Sequence, residues 1–341
     1  MRHEIFEQPT VLSRLAESAT PTLQAVAAAA QTCDFAVLAA RGSSDNASTY
    51  GKYLLEGLVS LPTALAAPSL FTLYDTPPRL KRALVIGVSQ SGQAADVAAV
   101  LQEARRQGAV TLAVTNTADS LLTQSADHIV LLNAGEEHAL AATKTVTAQC
   151  AVYALLAALM SQRRELHSGV AALGEQLMQV LACEEDIQRI AREWVHESRV
   201  VVLGRGFCYG AAQETALKLK ETCYIAAEPY SAADFLHGPL AVIEPGYPVL
   251  TLLNHDATLE TNLELMQQVM RRGASASAFA TPEAMKRVPA GCTALPVASP
   301  SPVLSTIPFI VAGQLLAMHL ALLRGYNPDV SRGLRKVTVT R

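Results

Sequence analysis

At 341 residues the chain is longer than one hydrophobic core usually organises, so two domains of roughly 150 residues each are expected. Half of its residues are apolar and 17% are charged, which excludes extensive disorder. A formal net charge of −3, with no basic tract, excludes a surface that tracks a nucleic-acid backbone.

The opening run Met1-Arg2-His3-Glu4-Ile5-Phe6-Glu7-Gln8-Pro9 carries acids where a secretory signal needs an apolar core, so a cytoplasmic protein is expected. Short β-branched runs then alternate with longer helical patterns, the signature of a parallel sheet covered on both faces. The first half predicts strands at 35–39, 63–65, 83–88, 110–114 and 128–131, with helices near 46–59, 94–107 and 142–160. The second half repeats the scheme with strands at 199–203, 248–253, 275–279 and 294–297, and helices at 209–223, 259–272 and 304–323. Both halves read as copies of one doubly wound unit, giving an α/β protein with two parallel-sheet domains in tandem. The expected domains are 1–165 and 166–341, with the boundary in the more polar stretch 161–198, where Gln162-Arg163-Arg164-Glu165 interrupts the apolar pattern.

Two stretches invite a transmembrane reading. The run 148–160 falls short of the roughly 20 residues that a crossing needs, and 308–323 contains Gln314 and His319, so both read as buried helices. The six cysteines lie far apart, with no CxxC pair and no histidine at metal-ligand spacing, and read as buried free thiols.

In open parallel sheets, ligands bind beyond the carboxyl ends of the strands. Two polar turns sit there in the first half, Arg41-Gly42-Ser43-Ser44 and Ser89-Gln90-Ser91-Gly92. The first lacks a GxGxxG dinucleotide fingerprint, and its hydroxyls suit a monophosphate better than a pyrophosphate. The alternative is that Ser43, Ser44, Ser89 and Ser91 cap helices.

Further on, Glu214, Lys218 and Glu221 stand at i, i+4 and i+7 and share one helical face. They are either an exposed ion pair or a proton-transfer set in which each group controls the other's protonation. His237, in Leu236-His237-Gly238-Pro239, falls in a turn where an imidazole titrates near neutral pH or is merely solvated. Lys336, near the end of the chain, reads as surface charge, or as a Schiff-base lysine if it is desolvated.

Taken in order, these segments resemble the sugar isomerase (SIS) family, specifically the double-SIS isomerase half of glutamine-dependent glucosamine-6-phosphate synthase. The pieces that carry the resemblance are Glu4 to Pro9, Gly42-Ser43-Ser44, Ser89-Gln90-Ser91-Gly92 with Asp96, and Asn133-Ala134-Gly135-Glu136 through Ala142-Thr143-Lys144. They continue with Ala216-Leu217-Lys218-Leu219-Lys220-Glu221, 233–240 and 334–339. The resemblance implies two flavodoxin-like SIS domains and a sugar phosphate held by Gly42, Ser43, Ser44, Ser89, Gln90 and Ser91. It also implies Leu140 and Ala142 near the sugar ring and Glu221 as the base between C1 and C2. His237 becomes the ring-opening acid/base, supplied across a homodimer interface, Lys336 the Schiff-base lysine and Lys218 a further proton-transfer or orienting group.

No metal or redox cofactor is implied, and neither a nucleic-acid nor a membrane partner. Where the family usually has Ser-Gln-Ser-Gly-Glu-Thr, the motif here closes with Gln93-Ala94, so one hydroxyl is missing. A glutaminase domain is also missing from the expected layout. That points to the ammonia-releasing direction, a glucosamine-6-phosphate deaminase giving fructose 6-phosphate. The alternatives are a fructosamine-6-phosphate deglycase, a galactosamine-6-phosphate deaminase/isomerase, an ammonia-dependent synthase and a non-catalytic sugar-phosphate sensor.

Overall fold

A computed structural model describes residues 1–330, 332 and 333. Lys336 lies outside the described residues. The chain divides into two compact units that interleave along the sequence. One gathers Thr10–Glu137 and Lys144–Ala171; the other gathers Met1–Pro9, His138–Thr143 and the described residues from Ala172 onward.

The first unit is built on five parallel strands: β1 (Phe35–Ala39), β2 (Thr63–Leu65), β3 (Ala83–Val88), β4 (Val110–Thr115) and β5 (His128–Leu131). Their order is β2-β1-β3-β4-β5, so the chain reverses direction across the sheet between β1 and β3. Leu38 pairs with Ile86 and Ala39 with Gly87, which aligns the carboxyl ends of these two strands. All six residues of β3 are buried, because helices cover both faces, and this is why the run reads as continuously apolar rather than alternating. Val97, Val100, Leu101 and Ala104 of the Ala95–Arg106 helix pack on Val37, Ala39 and Val85. Each buried Val or Leu side chain contributes about 1.5–3 kcal/mol.

The second unit repeats the plan with β6 (Arg199–Gly204), β7 (Ala226–Ser231), β8 (Pro248–Leu253), β9 (Ser275–Ala280) and β10 (Thr293–Pro296). The order β10-β9-β8-β6-β7 places the reversal between β6 and β8. The edge strand β7 was not expected from the sequence, and neither was the 28-residue helix Arg2–Ala29 that opens the chain. The polar stretch 161–198 is folded as three helices, Arg164–Ala171, Leu173–Ala182 and Glu184–Glu193.

Among the described residues, one helical window, Pro302–Leu323, is long and apolar enough to cross a membrane, and 83% of it is buried inside the fold. Its polar members have partners there. Gln314 receives a hydrogen bond from Gln8, and His319 meets Glu184. No disulfide joins the cysteines; Cys150, Cys208 and Cys223 are buried, whereas Cys33, Cys183 and Cys292 are half-buried, so the expectation of six buried thiols holds for three.

Candidate active site

The two polar turns of the first unit leave adjacent strands at the point where the sheet reverses. The Ser43–Val59 helix begins three residues earlier than the sequence suggested, so Ser43 and Ser44 lie in its first turn, at the positive end of the helix dipole. Gly42 precedes them with φ +58°, a left-handed conformation that glycine adopts without strain. Ser44 is buried and Ser43 half-buried.

After β3, Ser89, Gln90 and Ser91 are half-buried and form a turn rather than the start of a helix. The Gln90 carbonyl accepts from the Asn116 amide at 3.1 Å and from the Thr115 hydroxyl at 3.3 Å, which fixes the turn against the end of β4. Gly92, at φ +67°, closes it; a Cβ there stands 2.2 Å from the Ser120 hydroxyl, so no larger residue fits. Neither neighbouring helix is capped by a serine side chain: their N-caps are Gly42 and Ala94. The capping alternative is therefore set aside. Ala94 occupies the N-cap position itself, so the missing hydroxyl leaves the Ala95–Arg106 helix without a side-chain cap.

Sequence reasoning missed the bond that holds the two turns together. Arg41, one residue before Gly42, donates through Nε to Asp96 Oδ2 at 2.7 Å, and Asp96 is buried in the helix that follows Ser91. Burial pushes the Asp45 carboxyl upward, with Arg41 pulling the other way. Beside Gln90 and Ser91 lies an open cavity of about 650 Å³. Asn116 braces its wall, donating to the Gly135 carbonyl at 2.7 Å and accepting from the Ala134 amide at 2.9 Å.

In the second unit, the Tyr209–Cys223 helix carries Glu214, Lys218 and Glu221. Lys218 and Glu214 are fully buried and Glu221 keeps about a fifth of its side chain exposed. The Lys218 ammonium lies 3.2 Å from Glu214 Oε1 and 2.5 Å from Glu221 Oε2. An exposed surface pair is thus excluded. Desolvation alone lowers the Lys218 pKa, but Glu214 and then Glu221 outweigh it and raise it, so the ammonium stays charged. Lys218 therefore sits as a buried cation between two carboxylates.

His237 ends the short Ala232–Leu236 helix, exposed, with its amide donating to the Asp234 carbonyl at 3.0 Å. Gly238 and Pro239 follow in a turn, as the sequence suggested. Leu140 and Ala142 lie on the irregular segment before the Lys144–Met160 helix, half-buried between buried Ala139, Ala141 and Thr143. The alternation turns both outward. Gly42, Ser43, Ser44, Ser89, Gln90 and Ser91 therefore fall in the first unit, and Lys218, Glu221, His237, Leu140 and Ala142 in the second.

A sequence model of the SIS domain matches residues 33–159 and 194–284. The glutamine–fructose-6-phosphate aminotransferase (isomerizing) of Caulobacter vibrioides is 34% identical over 99% of this chain and 58% of its own length. The chain thus spans a little over half the length of that curated relative. Among solved structures, a Silicibacter pomeroyi protein provisionally called a phosphosugar isomerase shares 35% identity, with 96% of this chain and 99% of that one covered and a TM-score of 0.89. The C-terminal domain of the Francisella tularensis glucosamine-fructose-6-phosphate aminotransferase shares 27% identity over 96% of each chain, with a TM-score of 0.86.

Proposed function

The chain belongs to the SIS domain family, and on that premise we propose that it deaminates and isomerises glucosamine 6-phosphate to fructose 6-phosphate and ammonia. The observation that carries the proposal is the buried ammonium of Lys218 between Glu214 and Glu221, with Glu221 still reaching solvent. A carboxylate held in this way suits proton transfer between adjacent carbons, and the fixed cation offsets negative charge that develops on an enediol-like intermediate. The names of the Caulobacter and Francisella relatives, both of which contain fructose 6-phosphate and the second also glucosamine, support a hexose 6-phosphate and its amino sugar as product and substrate.

In this reading, Gly42, Ser43, Ser44, Ser89, Gln90 and Ser91 hold the 6-phosphate, and Leu140 and Ala142 line the space for the sugar ring. His237 opens the pyranose. Glu221 removes the C2 proton of the open-chain aldehyde and returns a proton to C1, leaving an imine at C2 and a hydroxymethyl group at C1. Water adds to the imine and ammonia leaves. Lys336 is assigned by family resemblance to a covalent or charge interaction with the carbonyl.

Direction follows from mass action. In an assay of this chain by itself, ammonia exchanges with bulk water instead of being delivered at high effective concentration, which favours release. We further propose a homodimer in which His237 serves the partner's site. The exposed apolar side chains of Leu236, adjacent to the histidine in sequence, and Val242, five residues after it, support a covered surface there.

The test is ammonia release from glucosamine, galactosamine and fructosamine 6-phosphates by the purified chain. Release from glucosamine 6-phosphate alone, abolished by Glu221→Gln with fructose 6-phosphate binding retained, supports the proposal; silence with this substrate and cleavage of a fructosamine phosphate overturns it. For the dimer, mixing His237→Ala with Glu221→Gln chains restores part of the activity. No recovery in verified heterodimers refutes the shared site.

A further inference from the structure

The segment His138–Thr143 has no regular secondary structure, so its backbone polar groups need partners from elsewhere. Glu4 supplies them. Its carboxylate is buried, with 3% exposure; Oε1 accepts from the His138 amide and from the Ala139 amide at 3.0 Å, and Oε2 accepts from the Thr143 hydroxyl at 3.3 Å.

Gln8, one turn further along the same helix face, completes the arrangement. Pro9 has no N–H to donate to the Ile5 carbonyl, and Gln8 Nε2 takes its place at 3.0 Å. The same Nε2 donates to Gln314 Oε1 at 2.9 Å, and Gln314 Nε2 donates to the Thr143 carbonyl at 3.1 Å. Leu140 is held separately, its amide donating to the Asp329 carbonyl at 3.3 Å. Both ends of the segment are thus fixed, and the half-buried side chains of Leu140 and Ala142 project from the part between.

We infer that Glu4 is a positioning residue for the substrate loop: its carboxylate fixes the backbone of 138–143 and so sets where Leu140 and Ala142 meet the sugar ring of a hexose phosphate. The inference rests on the functional reading above for the identity of the ligand, but not for the bonds. Glutamine at position 4 keeps an oxygen for the two amides and a nitrogen that can donate to the Thr143 hydroxyl, whereas alanine loses all three bonds.

The experiment combines hydrogen exchange of peptides covering 138–143 with calorimetric binding of fructose 6-phosphate. Glu4→Ala speeds exchange of the His138 and Ala139 amides about tenfold or more, leaves strand β8 unchanged and weakens the sugar phosphate about tenfold. Glu4→Gln restores both quantities to within about threefold of the native protein. Where Glu4→Ala fails to fold, Glu4→Asp, one methylene short, gives the same readout. Unchanged loop exchange in these variants, or faster exchange with unchanged affinity, overturns the inference. A native protein that binds no fructose 6-phosphate refutes the functional reading and the ligand role of the loop, while the exchange comparison still decides whether Glu4 holds 138–143.

Discussion

Arg41 Nε and Asp96 Oδ2 stand 2.7 Å apart, and this one bond ties the turn after β1 to the helix that follows the turn after β3. The arginine is half-exposed and the aspartate is buried, so removing the arginine strands a carboxylate away from water. Arg41→Met should cost about 1–3 kcal/mol of stability and weaken fructose 6-phosphate binding about tenfold. Adding Asp96→Asn should recover most of the stability, because no unpaired charge remains, but not the affinity. Thermal melts and calorimetry on the native protein and the two variants check this, and normal binding by Arg41→Met dissociates the pair from the proposed phosphate site.

Ala94 offers a change in the opposite direction. It is the N-cap of the Ala95–Arg106 helix, in an extended conformation with φ −70° and ψ 99°, and it has no side chain to accept from the first-turn amides. Ala94→Ser should therefore raise stability by about 0.5–2 kcal/mol. The measurement is a chemical denaturation midpoint at constant slope; an unchanged or lowered midpoint means that the first-turn amides are already satisfied.

The strands were the legible part of this sequence, and the reason is burial on both faces. Strands β1, β3 and β8 have the bounds read from their apolar runs, as does the Tyr209–Cys223 helix. Strand β7 escaped because Glu228 and Pro229 interrupt its pattern, which is tolerated at a sheet edge where the missing N–H breaks no central ladder. The first helix escaped because it continues through Pro9 and Pro21, and at Pro9 a glutamine side chain makes good the lost bond. The spacing of Glu214, Lys218 and Glu221 put them on one face, but only tertiary packing decides whether that face is wet. The Arg41–Asp96 and Glu4–loop bonds join residues 55 and 134 or more positions apart, where local pattern carries no signal.

Burial of Lys218 makes its removal costly in a specific way. Lys218→Met leaves Glu214 and Glu221 facing each other without a cation, and stability should fall by about 3–5 kcal/mol. Replacing Glu214 by Leu as well should restore part of that loss while activity stays absent, since the charge that orients Glu221 is still gone. Activity that returns together with stability in the double variant refutes the orienting role and leaves Lys218 a purely structural ion.

A half-buried polar pair of the second unit sets an acid limit on stability. His319 Nε2 lies 3.0 Å from Glu184 Oε1, and Arg2 holds both oxygens of that carboxylate, at 3.1 and 2.8 Å. Burial lowers the His319 pKa below 6.5 despite the opposing pull of Glu184, while the hydrogen bond from Arg2 leads the causes that lower Glu184 below 4.5. In both cases the unfolded chain binds its proton first as the solution is acidified. Stability that depends on neutral His319 is complete above 6.5 and declines as the pH falls through that value toward the folded pKa; the Glu184 share is present above 4.5 and is lost below it. His319→Gln should therefore flatten the fall in melting temperature between about pH 7.5 and pH 5. Glu184→Gln should steepen it, because the histidine loses the one carboxylate that favours its charged form and its folded pKa drops further. Parallel pH profiles for the native protein and the His319→Gln variant assign the acid sensitivity to some other group.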